Sequence, residues 1–125
     1  VLDTLKLEYT FVSRTANKTR DLSPVISYED LKQKDNYIII NTTPVGMYPH
    51  GDEMPIGLEE VRKAQYVFDV IYNPNPTNIV KYAKAGMAGL DMLVAQGIAT
   101  FNQVFEKDLK IDKKIVEAIK EGLDE

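Results

Sequence analysis

Four short stretches carry side chains whose type and spacing can do chemistry. Ser13-Arg14-Thr15-Ala16-Asn17-Lys18 can converge two cations and a hydroxyl on one anion. Guanidinium grips an oxyanion bidentately and ammonium adds a point charge, although the same residues also make an ordinary solvated basic turn. Asn41-Thr42-Thr43-Pro44-Val45-Gly46-Met47-Tyr48-Pro49 offers two hydroxyls and several backbone amides, with Gly46 free to adopt an unusual dihedral or a close approach. It suits either a ligand groove or a well-bonded surface loop, and the lone His50 beside it is assigned no role. In Asp69-Val70-Ile71-Tyr72-Asn73-Pro74, the Tyr72 hydroxyl can reach a cleft or its ring can simply pack on the core. In Gly86-Met87-Ala88-Gly89-Leu90-Asp91-Met92-Leu93-Val94-Ala95-Gln96, Gly89 lets backbone approach a ligand at a helix start. Gln96 is an amide among Val94, Ala95 and Ile98 and wants a partner unless it faces water. The methionines are expected to fill gaps in the core.

These stretches need elements to hold them. Tyr9 to Ser13 is β-branched and aromatic, a short strand. Ser27-Tyr28-Glu29-Asp30 is an N-cap with acid in the first turn, opening a helix through about Lys34. Asn36 to Asn41 contains three consecutive isoleucines without polar alternation, which predicts a strand buried on both faces of a parallel sheet. Thr42 to Ile56, with three prolines and two glycines, is a long loop. Leu58 to Ala64 is a short helix and Tyr66 to Tyr72 a third strand, broken by Asn73-Pro74-Asn75-Pro76. Thr77 then caps a helix of about ten residues ending near Gly86. Leu90 to Phe105 keeps a helical period, and a last helix starts near Asp112 with Ile115, Ala118 and Ile119 on one stripe. Strands alternating with helices predict an α/β domain with a parallel sheet. Ligands bind such sheets outside the carboxyl ends of the strands, which points to Ser13–Lys18, Asn41–Pro49 and Asp69–Pro76. At the end of the second strand of a dinucleotide fold, an acid selects a free ribose hydroxyl and an arginine accommodates a 2′-phosphate; here the residue is Arg14.

Composition narrows the field. The 125 residues suit one modest domain, and 44% hydrophobic with 27% charged residues supply a core. A net charge of −4 argues against nucleic acid and anionic membranes as partners. The absence of cysteine removes disulfides, thiolate metal sites and cysteine nucleophiles, and a single histidine cannot build a multi-histidine metal site. No apolar run approaches the ~20 residues of a membrane span and no signal peptide opens the chain, so the expectation is a soluble, cytoplasmic protein. Val1, Leu2 and Leu5 stand at one-turn spacing with no initiator Met or N-cap before them. The chain therefore reads as a portion of a longer one, entered within a helix.

In this order, the four stretches resemble the C-terminal, nucleotide-binding part of shikimate dehydrogenase from about Val1 to Phe105. Asn-Thr-Thr-Pro-Val-Gly-Met-Tyr-Pro at 41–49, Asp-Val-Ile-Tyr-Asn-Pro at 69–74 and Gly-Leu-Asp-Met-Leu-Val-Ala-Gln at 89–96 carry the likeness. The resemblance implies a Rossmann-like, doubly wound parallel sheet, here without its first strand and glycine-rich phosphate turn. It implies a partial NADP-binding domain over 1–125, with a core at about 1–88 and C-terminal helices at 89–125 that pack back toward a substrate domain. It implies reversible reduction of 3-dehydroshikimate to shikimate with NADPH, on the route to chorismate and the aromatic amino acids. The 2′-phosphate element falls on Ser13, Arg14, Thr15 and Lys18, with Ser13 standing where the family has asparagine. Thr43, Val70, Ile71, Gly89 and Met92 fall on cofactor-contacting positions, and Tyr72 and Gln96 on positions that reach shikimate. The family's catalytic lysine and aspartate match no residue of this chain, so no catalytic residue is assigned in it. The expected partners are the small-molecule substrate and the substrate domain, as a monomer or a homodimer. Two alternatives stay open: a quinate/shikimate dehydrogenase, and a nucleotide-binding module without catalysis.

Overall fold

The computed structural model describes residues 1–15 and 23–123 and alternates short strands with helices. In chain order these are β1 (Phe11–Val12), β2 (Val25–Ile26), α1 (Tyr28–Lys32), β3 (Ile38–Asn41), α2 (Leu58–Lys63), β4 (Tyr66–Asp69), α3 (Asn78–Lys81), β5 (Gly86–Met87), α4 (Leu90–Phe105) and α5 (Lys113–Leu123). Every ladder is parallel, in keeping with the expected α/β class. The strands fall into two small sheets, β1-β2 and β3-β4-β5.

The core lies on one face of the larger sheet. Val67 of β4 meets Val61 and Ala64 of the α2 segment and Ile79 of α3, all four essentially inaccessible to water. Tyr37, Ile39, Met54 and Ile56 pack around them. β3 departs from the expected two-sided burial: Ile39 points into this core, while Ile38 and Ile40 remain 62% and 45% exposed. Alternate side chains leave opposite faces of a strand, and the core packs only against the face that carries Ile39. α2 and α3 cover the face to which Ile39 and Val67 point.

Local chemistry sets the element ends. Ser27 is the expected N-cap, and with Asp30 it forms a capping box, each side chain bonding the other residue's backbone N–H. That helix stops at Lys32, short of Lys34, and Lys63 of α2 reaches its final carbonyl at 2.7 Å. β4 ends at Asp69, three residues before the expected Tyr72, because the Asp69 carboxylate takes the N–H of Ile71 and turns the chain. α3 is a single turn, and Thr77 does not cap it; its hydroxyl donates to Asp69 instead. The chain then enters β5, which alternation cannot reveal in a two-residue strand. α4 spans the expected residues, and Asp112 accepts from the Ile115 N–H where α5 begins. Residues 1–7 form a turn with Leu5 N–H bonded to Val1 O and Leu7 N–H to Leu2 O, leaving Val1 and Leu5 exposed. Among the described residues, no helix is long and apolar enough to cross a membrane, and no cluster of three or more acidic or histidine side chains could hold a metal ion.

Candidate functional site

The last residues of β3 and β4, Asn41 and Asp69, are paired in register. Both are buried, Asp69 completely. The Asn41 amide donates to Asp69 Oδ1 at 3.0 Å, beside the last backbone bond between the strands, from Val70 N–H to Asn41 O at 3.1 Å. Each then takes the N–H two residues ahead: Thr43 N–H donates to Asn41 Oδ1 at 3.0 Å, and Ile71 N–H to Asp69 Oδ1 at 3.1 Å. These are matched Asx turns, one on each strand and bonded to one another. The Thr43 hydroxyl adds a second bond to Asn41 Oδ1 at 2.8 Å, and the Thr77 hydroxyl closes on Asp69 Oδ2 at 2.7 Å. A buried carboxylate without a cation beside it is tolerable only when so fully hydrogen-bonded, and this one receives three donors.

The two turns open a cavity of about 470 Å³ at the carboxyl ends of β3 and β4. Thr42, Thr43, Pro44, Met47 and Tyr48 line it from one loop, and Val70, Ile71, Tyr72 and Asn73 from the other. The Tyr48 N–H donates to Asn73 O at 3.2 Å and joins the loops across it. Between them Gly46 holds a φ of +97°, which only glycine adopts without strain, with Glu53 O just 3.0 Å from where a Cβ would lie. Four residues singled out in the sequence, Thr43, Val70, Ile71 and Tyr72, therefore meet in one groove. The Thr43 hydroxyl is committed to Asn41 and also accepts from the Val45 N–H. Thr42, exposed on the same wall, lies outside that network and has its hydroxyl available for an incoming group. Asn41, Thr42 and Asp69 lie within stretches singled out in the sequence, the Thr42 hydroxyl among them, but Asn41 and Asp69 carry no individual role there, because the bond that joins them spans 28 residues.

Gly89 stands behind this groove. Its N–H donates to Ile71 O at 2.8 Å, and its α-carbon lies against the Val70 backbone. α4 thus begins beside the groove, with Leu90 and Val94 buried. Met92 and Gln96 are one turn apart on the opposite, exposed side of α4 and do not line the cavity. Gln96 is exposed on α4 and, unlike Tyr72, does not line the cavity.

Ser13, Arg14 and Thr15 of the cationic stretch follow β1, in the other sheet. Ser13 N–H donates to Ile26 O at 3.0 Å, and Ser13 Oγ accepts the Thr15 N–H at 3.2 Å, a turn that presents Arg14 on the exposed outside. Lys18 lies outside the described residues.

The chain is 38% identical to the NADP(+) shikimate dehydrogenase of Caldanaerobacter subterraneus subsp. tengcongensis over 81% of its own length and 43% of that protein's. In structure it resembles a chorismate mutase/shikimate 5-dehydrogenase fusion protein from Clostridium acetobutylicum, with a TM-score of 0.75, 37% identity, and coverage of 91% of this chain and 42% of that one. It also resembles a shikimate dehydrogenase in complex with NADP+, with a TM-score of 0.59, 33% identity, and coverage of 77% and 34%. The chain thus spans less than half the length of these relatives. No family model matches it.

Proposed function

We propose that this chain, which belongs with the shikimate dehydrogenases over most of its length, is the NADP-holding part of an enzyme that interconverts 3-dehydroshikimate and shikimate. One observation carries the reading: Thr43, Val70, Ile71 and Tyr72 share a single groove at the carboxyl ends of two adjacent parallel strands, the place where an α/β sheet holds a nucleotide.

The residues present fit the nicotinamide end of the cofactor. Val70, Ile71 and Met47 supply apolar surface for a ring face, and Thr42 supplies a hydroxyl for a ribose or carboxamide. Among the described residues no carboxylate lines the groove; Asp69 lies buried behind it, hydrogen-bonded by three donors. Ser13, Arg14, Thr15 and Lys18 are the proposed 2′-phosphate element. When bound, NADP supplies the hydride donor or acceptor. This chain holds the ring in the groove, keeps water from one of its faces and offers the Tyr72 hydroxyl to the substrate; Gly89, Met92 and Gln96 complete the proposed contacts from α4. Because Gln96 faces water in the chain as described, its contact with shikimate belongs to the assembled cleft, with 89–125 packing toward a substrate-binding domain. A cytoplasmic location, monomeric or homodimeric, goes with this reading.

Titrating NADP+ and NAD+ into the natural full-length protein, unaltered and as Arg14→Ala, tests it through protein fluorescence. The expected result is a clear preference for NADP+, of which Arg14→Ala removes about 1.5–3 kcal/mol, the size of a charge-assisted contact, while NAD+ binding stays the same. Equal loss with both cofactors would overturn the 2′-phosphate assignment.

A further inference from the structure

We infer that Asn41 and Asp69 are positioning residues that set the two walls of the cofactor groove as one unit; the inference rests on the NADP reading above. The geometry is nearly symmetric. Asn41 and Asp69 close β3 and β4 side by side, each fixes the residue two places ahead through its own side chain, and a 3.0 Å bond couples them. The residues so fixed, Thr43 and Ile71, stand on opposite loops of the groove. Backbone pairing ends with the bond from Val70 N–H to Asn41 O at 3.1 Å, and the next backbone bond between the two loops is Tyr48 N–H to Asn73 O farther out, so between these two points the side chains of Asn41 and Asp69 hold Thr43 and Ile71. Thr77 holds the free oxygen of Asp69 and anchors the pair to the start of α3. The carboxylate cannot rotate without breaking three bonds, and burial makes each costly to lose. Neither residue touches the ligand in this account; both act through the residues they hold.

The test compares Asn41→Ala with Val61→Ala, a core truncation in α2 that lowers stability without touching the network, in the natural full-length protein. The readouts are the NADP+ dissociation constant, the KM for shikimate at saturating NADP+, the melting temperature, and amide hydrogen exchange at Thr43 and Ile71 without cofactor. Asn41→Ala should weaken NADP+ binding about tenfold or more, the scale on which small misplacements act, and should speed exchange at both amides. Shikimate KM should hold within about twofold, and Val61→Ala should lower the melting temperature with no change in NADP+ affinity. If Asn41→Ala does not fold, Asn41→Ser, which removes the amide but keeps a hydroxyl, replaces it with the same expectation. Unchanged NADP+ affinity in the Asn41 variant, or an equal loss in Val61→Ala, would overturn the inference while leaving the NADP reading standing. If the unaltered protein takes up no NADP+, both are overturned; rapid exchange confined to Thr43 would overturn the coupling alone.

Discussion

Gly89 leaves no room for a methyl group against Val70: a Cβ at position 89 would fall 2.1 Å from the Val70 carbonyl oxygen and 2.5 Å from its carbonyl carbon. Its backbone angles, φ −74° and ψ 1°, are open to any residue, so the requirement is one of space rather than of conformation. Through this contact and the bond from Gly89 N–H to Ile71 O, the first turn of α4 is docked directly on the wall of the groove.

Gly89→Ala therefore must push α4 away from Val70 or drive Val70 into the groove. The obstructing atoms are backbone and cannot swing aside. The expected cost is about 1–3 kcal/mol of stability, the usual size of overpacking, accompanied by weaker NADP+ binding because Val70 and Ile71 move together. Thermal melts and an NADP+ titration of the same sample check both; a variant of normal stability and affinity would show that the contact relaxes freely.

How far the sequence discloses this arrangement depends on the reach of each interaction. The Ser27–Asp30 capping box and the period of α4 are local, so residue types three and four apart suffice to place them. The bond between Asn41 and Asp69 joins residues 28 apart, and no local pattern marks either as more than a strand end. Thr77 shows the same conflict in one residue: by type it is an N-cap, yet a buried carboxylate eight positions back claims its hydroxyl. The isoleucines of β3 signalled a strand correctly, whereas the burial of Ile38 and Ile40 depends on what covers the face to which they point, which hydropathy alone does not specify.

The core that supports the groove is small, so single truncations within it should be felt. Ile79 of α3 is 1% exposed and packs among Val61, Ala64 and Val67. Ile79→Ala should destabilise the fold by about 2–5 kcal/mol, the loss of buried methyl groups plus the cavity left behind. Chemical denaturation of both proteins measures it. A cost under about 1 kcal/mol would mean that α3 collapses onto the sheet and refills the space.

The capping box gives α1 an acid-sensitive end. Hydrogen bonds from the Ser27 hydroxyl and N–H, at 2.7 and 3.0 Å, hold the Asp30 carboxyl below its ordinary range, with nearby Lys34 adding a smaller effect in the same direction. A carboxyl depressed in the folded state stabilises above its unfolded value of about 3.9 and loses that contribution as pH falls through the folded value. Local opening of α1 should thus increase below about pH 4, and the Asp30 titration midpoint should rise toward that of a free aspartate in Ser27→Ala. Carboxyl-carbon NMR titration reads the midpoint directly; identical midpoints in the two proteins would remove Ser27 as the cause.

Tyr72 separates the two ligands that the groove is proposed to serve. It follows Ile71 on the groove wall, lines the cavity and is 41% exposed, so its ring is only partly used in packing. Tyr72→Phe keeps that packing and removes only the hydroxyl. If the hydroxyl meets shikimate, the KM for shikimate should rise by about 2–13-fold, the worth of one hydrogen bond of about 0.5–1.5 kcal/mol. NADP+ affinity should stay constant, since Val70 and Ile71 supply their contacts independently of that oxygen. Steady-state kinetics alongside cofactor titration divides the effect. A loss confined to NADP+ would move Tyr72 to the cofactor side of the groove and leave the substrate to be held by residues from elsewhere.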